Sequence, residues 1–158
     1  MKKYRIEIKW ALLFFVIALL WMVFEKLMGW HGDKIADHYL YTNIFMIPAI
    51  LVYIQALRDK RDNYLDGKMT WLQGFISGAI ISLIVAILSP LSQWITHNYI
   101  SPEYFPNVIA YAVESEELTQ EAAEKYFNLI SYMGQSALGA LGMGLITAAI
   151  VSLFVKRN

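Results

Sequence analysis

Four apolar runs, each long enough to cross a bilayer, predict an all-α integral membrane four-helix bundle with an acidic extracytoplasmic loop. Composition agrees. Hydrophobic residues make up 58% of the chain, above the ~45–50% of ordinary soluble domains, and mean hydropathy is +0.44. The 158 residues are the length of one membrane domain, 1–158. Its transmembrane helices are expected at about 8–28, 39–57, 71–95 and 130–155, with an outer loop at 97–128.

The third run organises the rest. Residues 71–94 carry no charge and are bounded by Trp71 and Trp94. As a helix they span roughly 35 Å, enough for a hydrocarbon core of about 30 Å with some tilt. Thr70-Trp71-Leu72-Gln73 fits a capping box that fixes the helix start. Gly74, Gly78, Ser82 and Ala86 then recur every four residues and form a groove of small side chains. The fourth run has its own stripe, Ser136, Ala140, Gly144, Ala148 and Ser152, with Gly139 and Gly142 beside it. In lipid, helices associate through close backbone packing, so two such stripes predict that the third and fourth spans meet face to face.

The first run follows the basic start Met1-Lys2-Lys3-Tyr4-Arg5 and extends over residues 10–28. A signal peptide begins the same way, but its apolar core is about 7–15 residues and ends at a small-residue cleavage site. This run reaches Glu25-Lys26 without an Ala-x-Ala pattern, which favours a retained span. Gly29 and Gly32 end it. Pro48, at the centre of the second run, removes a backbone donor and clashes with the carbonyl of Ile44, so a kink is expected there. Asp66-Gly67 reads as a turn, and Pro90 is placed to bend the far end of the third span. In the outer loop Pro102 and Pro106 punctuate the chain, and Gln120-Glu121-Ala122-Ala123-Glu124 is strongly helical.

Lysine and arginine set the orientation. One side holds Lys2, Lys3, Arg5, Lys9, Arg58, Lys60, Arg61, Lys68, Lys156 and Arg157; the other holds Lys26, Lys34 and Lys125. Both termini and the loop at 58–68 are therefore expected to be cytoplasmic. Net charge is zero, which argues against nucleic acid as a partner. The absence of cysteine excludes disulfides, thiolate metal sites and thiol catalysis. Ten tyrosines and five tryptophans suit a chain with two membrane–water boundaries.

Three features bear on chemistry. Glu25, His31, Asp33, Asp37, His38 and His97 gather near the outer face, and imidazole with carboxylate is a zinc-type ligand set. Their spacing matches no known ligand pattern, and Glu25 sits at a helix end where a carboxylate reaches water. The expectation is an interfacial polar site, Glu25, His31, His38 and His97, with no metal, cofactor or catalytic group. Glu103, Glu114, Glu116, Glu117, Glu121 and Glu124 face Lys125 alone in the outer loop, which reads as the solvated side of a short helix. Gln73, Gln93 and Gln135 lie in or beside spans, where amides bridge helices. No nucleophile elbow, phosphate loop, dinucleotide fingerprint or His-Glu-x-x-His is present.

Several segments carry a resemblance. Phe24-Glu25-Lys26-Leu27-Met28-Gly29-Trp30-His31 closes the first span, and Asp37-His38-Tyr39 opens the second. Ala56-Leu57-Arg58-Asp59-Lys60-Arg61, Gly67-Lys68-Met69-Thr70-Trp71-Leu72-Gln73-Gly74-Phe75 and Tyr99-Ile100-Ser101-Pro102-Glu103-Tyr104 follow. Together they resemble the family of small four-span bacterial membrane proteins termed domain of unknown function 4199, over nearly the whole chain. The resemblance implies four spans and an inner-membrane location. It implies no activity or catalytic residue, and Glu25, Gly29, His31 and His38 match its pattern.

The functional expectation is a non-enzymatic membrane protein. It would associate with itself or another membrane protein through small-residue helix faces at Gly74, Gly78, Ser82, Ala86, Ala140, Gly144 and Ala148. The alternative is a transporter or channel component for a small solute or cation, entered from the acidic face. A cavity lined by Gln73, Gln93 or Gln135 would favour transport; a dry core with an exposed small-residue groove would favour association.

Overall fold

The computed structural model describes residues 4–157. Lys2 and Lys3 of the orientation count lie outside them. The helices are α1 (Arg5–Leu27), α2 (His38–Tyr41), α3 (Met46–Tyr64), α4 (Trp71–Ile95), α5 (Tyr104–Glu114), α6 (Gln120–Tyr126) and α7 (Leu129–Val155). Four segments are long and apolar enough to cross a membrane: Arg5–Leu27, Ile35–Tyr64, Trp71–Ile100 and Leu129–Val155. The chain is all-helical and multi-pass, and α1, α3, α4 and α7 supply the cores of its spans. Leu20, Ile87, Leu138 and Phe154 point outward from them, a surface that lipid solvates and water would not. One end of the bundle gathers Arg5, the loop after α3 and Arg157; the other, here termed the loop end, carries α2, α5 and α6.

The start of α4 is the capping box itself. The Gln73 amide donates to Thr70 Oγ1 at 3.2 Å, and the Thr70 amide donates to Gln73 Oε1 at 2.8 Å. From there α4 packs most extensively on α7 and next on α1. The small-residue stripes explain the pairing. A Cβ at Gly78 would stand 2.4 Å from that of Ala148, one at Gly74 would stand 2.8 Å from Ser152 Oγ, and one at Gly144 would stand 2.5 Å from Ser82 Oγ. Only glycine permits so close an approach of two backbones. Within the contact the Ser82 hydroxyl donates to the Gly78 carbonyl and accepts from Tyr53 OH, both at 2.8 Å. An isolated antiparallel bridge between Met69 and Arg157 ties the far end of α7 to the residue before the α4 cap.

The second and third spans add detail to the expectations. The second span begins at Ile35, and its departure from α geometry is a 3-10 turn at Thr42–Phe45, which includes Ile44, the residue whose carbonyl the Pro48 ring crowds. Pro48 is the third residue of α3. In a first turn the missing N–H has no intrahelical partner to lose, so proline is accommodated there. Pro90 lies inside α4 without ending it, and the departure from α geometry comes later, in a π turn at Thr96–Ile100.

Toward the loop end the α7 stripe leaves close contact with its neighbours. Nothing lies within 4 Å of a Cβ built at Gly139. Instead Ser136, Gly139 and Ala140 face Ser89, Ser92 and Gln93 of α4 across a cavity of about 390 Å³, which α1 and α3 complete. Beyond it, Thr119 and Asn128 cap α6 and α7 with side-chain oxygens on Ala122 and Ser131 amides. The six loop glutamates, Glu103, Glu114, Glu116, Glu117, Glu121 and Glu124, are all exposed.

Candidate functional site

The site is built by the way α1 ends. Gly29 adopts φ +83°, a conformation that costs a side-chain-bearing residue about 1–2 kcal/mol. Its amide bonds to the Lys26 carbonyl at 3.0 Å, and the next amide, Trp30, bonds to the Glu25 carbonyl at 3.1 Å. This paired closure is a Schellman motif, which turns the chain back over the last helical turn. His31 is thereby laid over Glu25. Stacking of Trp30 on Tyr41 at 4.6 Å and a 2.9 Å bond from Asn107 to the His31 carbonyl hold the loop in place.

Glu25 is 0% exposed and His31 6%. The reading of Glu25 as a carboxylate reaching water is therefore corrected: the folded-back loop covers it. His31 Nε2 lies 3.0 Å and His38 Nε2 3.2 Å from the same oxygen, Glu25 Oε2. The indole of Trp21 donates to Oε1 at 2.6 Å. An ionised carboxylate makes both Nε2 atoms donors, so each ring presents Nδ1 to a hydroxyl. Ser101 Oγ is 2.7 Å from that of His31, and Tyr104 OH is 3.3 Å from that of His38. Burial pushes the Tyr104 hydroxyl far above its ordinary range, and Tyr132 and Glu25 add to the shift. Tyr104 therefore keeps its proton.

The predicted residues divide clearly. Glu25, His31 and His38 converge, with donor atoms all within 4.8 Å of one another. His97 sits in the π turn beside them but bonds elsewhere, its Nε2 3.1 Å from Gln93 Oε1 and its ring stacked on Phe105 at 4.1 Å. Asp33 and Asp37 are exposed and take no part in the cluster. Of the three glutamines, Gln93 lines the cavity, Gln73 is spent on the cap, and Gln135 is exposed. The cavity meets the cluster through Thr42, beside the Glu25 carboxylate, and through Gln93, the partner of His97.

Sequence reasoning missed a second polar cluster at the opposite end. Glu7 of α1 is 1% exposed and pairs with Lys60 of α3 at 2.8 Å; Ser77 of α4 donates to the same oxygen at 2.8 Å. The Lys60 ammonium also lies 3.8 Å from the centre of the Tyr64 ring. A signal was present: Glu7 shares a helical face with Ala11, Phe14 and Ala18, so it had to point inward.

No curated protein and no solved structure matches this chain. A family profile does, over residues 9–157, a stretch that holds the last three spans whole, all but the start of the first, and the loop-end cluster. The chain belongs to the family described as protein of unknown function (DUF4199).

Proposed function

We propose that this chain is a non-enzymatic membrane protein that takes up a small cation at its loop end and holds it at Glu25, His31 and His38. The observation that carries this reading is a fully buried carboxylate with two imidazoles on one oxygen. A carboxylate buried near the end of a span is costly to hold without partners, and such groups serve ion paths and relays in membrane proteins. Six exposed glutamates on the adjacent loop would raise the local cation concentration. The cavity beneath, edged by Thr42, Ser89, Ser92 and Gln93, offers polar groups further into the bundle. Association through the small-residue stripe is less well supported, because Gly74, Gly78 and Gly144 are closed against α7, Ser82 and Tyr53.

In this reading both termini face the cytoplasm and the chain lies in a bacterial inner membrane with the acidic loop outside. The lysine and arginine asymmetry supports that orientation. The test is reconstitution into vesicles carrying trapped pH and metal indicators. Wild type should move a cation at least about tenfold faster than Glu25→Gln. Equal fluxes from wild type, Glu25→Gln and protein-free vesicles would refute the reading.

A further inference from the structure

We infer that the cation is a divalent transition metal of the zinc type, held by Glu25 Oε2, His31 Nε2 and His38 Nε2. The inference rests on the cation-uptake reading and narrows it to one chemical class. Two imidazole nitrogens and one carboxylate oxygen are a ligand set that zinc favours, whereas calcium and magnesium take oxygen donors. A tetrahedral ion about 2.0–2.1 Å from each donor sets its ligand atoms about 3.3 Å apart. The carboxylate oxygen already stands 3.0 and 3.2 Å from the two nitrogens. All three donor atoms lie within 4.8 Å of one another, so modest movements of the rings bring them to the spacing an ion needs.

The surroundings strengthen the assignment. A metal-bound imidazole donates its other ring N–H to an outer partner that fixes its orientation. Both rings have one in place: Ser101 Oγ for His31 and Tyr104 OH for His38. Hydroxyls accept as readily as they donate, so they serve the metal-bound tautomers as well as the present ones. Trp21 donates to the other carboxylate oxygen, Oε1, while both imidazoles converge on Oε2. Three protein donors leave a fourth position for water or an exchanging ligand, the pattern of sites that are not merely structural.

The experiment uses the full chain purified in detergent, stripped with a chelator and dialysed. Zn²⁺ is titrated by calorimetry, and Co²⁺ by its visible absorption. Wild type should bind one equivalent of Zn²⁺, melt at a higher temperature with it, and give the intense bands of low-coordinate Co²⁺. Mg²⁺ should do neither. His38→Gln, at a half-buried position, should weaken Zn²⁺ at least about 100-fold, and Ser101→Ala about tenfold. Should Glu25→Gln fail to fold, His38→Gln and His31→Gln still decide the matter. Saturable Zn²⁺ binding undiminished in both histidine variants would overturn the assignment, as would a wild type that binds none. Zn²⁺ binding without transmembrane movement leaves the metal site standing and removes the uptake reading. Movement of another cation without Zn²⁺ binding does the reverse.

Discussion

Glu7 and Glu25 lie eighteen positions apart on α1, five whole helical turns, so the two carboxylates project from one face at opposite ends of the same helix. Their separation along the axis is about 27 Å, close to the hydrocarbon thickness of a bilayer. Each is buried and each is held by side chains from elsewhere in the chain: Glu7 by Lys60 and Ser77, Glu25 by His31 and His38. One helix thus presents a charged group to the protein interior at both membrane boundaries.

The Glu7–Lys60 pair should behave as a unit. Lys60→Met leaves a buried carboxylate without its cation, and the expected loss is about 3–5 kcal/mol. Glu7→Leu combined with Lys60→Met removes both charges and should recover most of that loss. Thermal melts of the three proteins in detergent check the prediction. A double variant that melts no higher than Lys60→Met would contradict it.

Gly78→Leu should loosen the α4–α7 contact, because even its Cβ would stand 2.4 Å from Ala148. Overpacking of this kind costs about 1–3 kcal/mol. Gly139→Ala, which has open space around it, and the nearly volume-neutral Ile80→Leu should melt like wild type. A Gly78→Leu protein with an unchanged melting curve would mean that α4 and α7 are not in contact.

Gly29→Ala forces a side chain into the left-handed region and should destabilise the loop end by about 1–2 kcal/mol. Gly32→Ala serves as its control, since its nearest neighbour would be 3.9 Å away and its φ is ordinary. Hydrogen exchange over residues 28–34 should speed up in the first variant and not in the second.

Orientation is checked by thiol labelling of this cysteine-free chain. A cysteine at Glu116 should react with an impermeant reagent in intact cells, and one at Asn63 only after lysis; both positions are exposed. The opposite pattern would invert the bundle.

Much of this architecture is legible in the residues because lipid imposes few and simple rules. Thr70 and Gln73 locate the start of α4 through their own hydrogen bonds, and the small-residue periodicity locates its partner. The candidate site is only half legible. Residue type flags Glu25, His31 and His38, but their closure depends on a left-handed Gly29, which in sequence reads merely as a helix stop. The Glu7–Lys60 pair escaped because its members lie fifty-three positions apart, within basic flanks that resemble headgroup-facing ends. Pro48 marks the irregular part of the second span, but the departure from α geometry falls in the turn before it, because the ring crowds the carbonyl four residues back.

The Schellman turn after α1 has a consequence for biosynthesis. Trp21, Glu25, Gly29, His31 and His38 all belong to the first thirty-eight residues, so the first two spans and the turn between them carry every donor atom of the cluster. Chains fold from the N-terminus as they emerge, and the carboxylate can meet its imidazoles while α4 and α7 are still being synthesised. Ser101 and Tyr104 arrive later and lock rings that are already in position. A fragment ending after α3 should therefore assemble the cluster loosely, and the rest of the chain should fasten it.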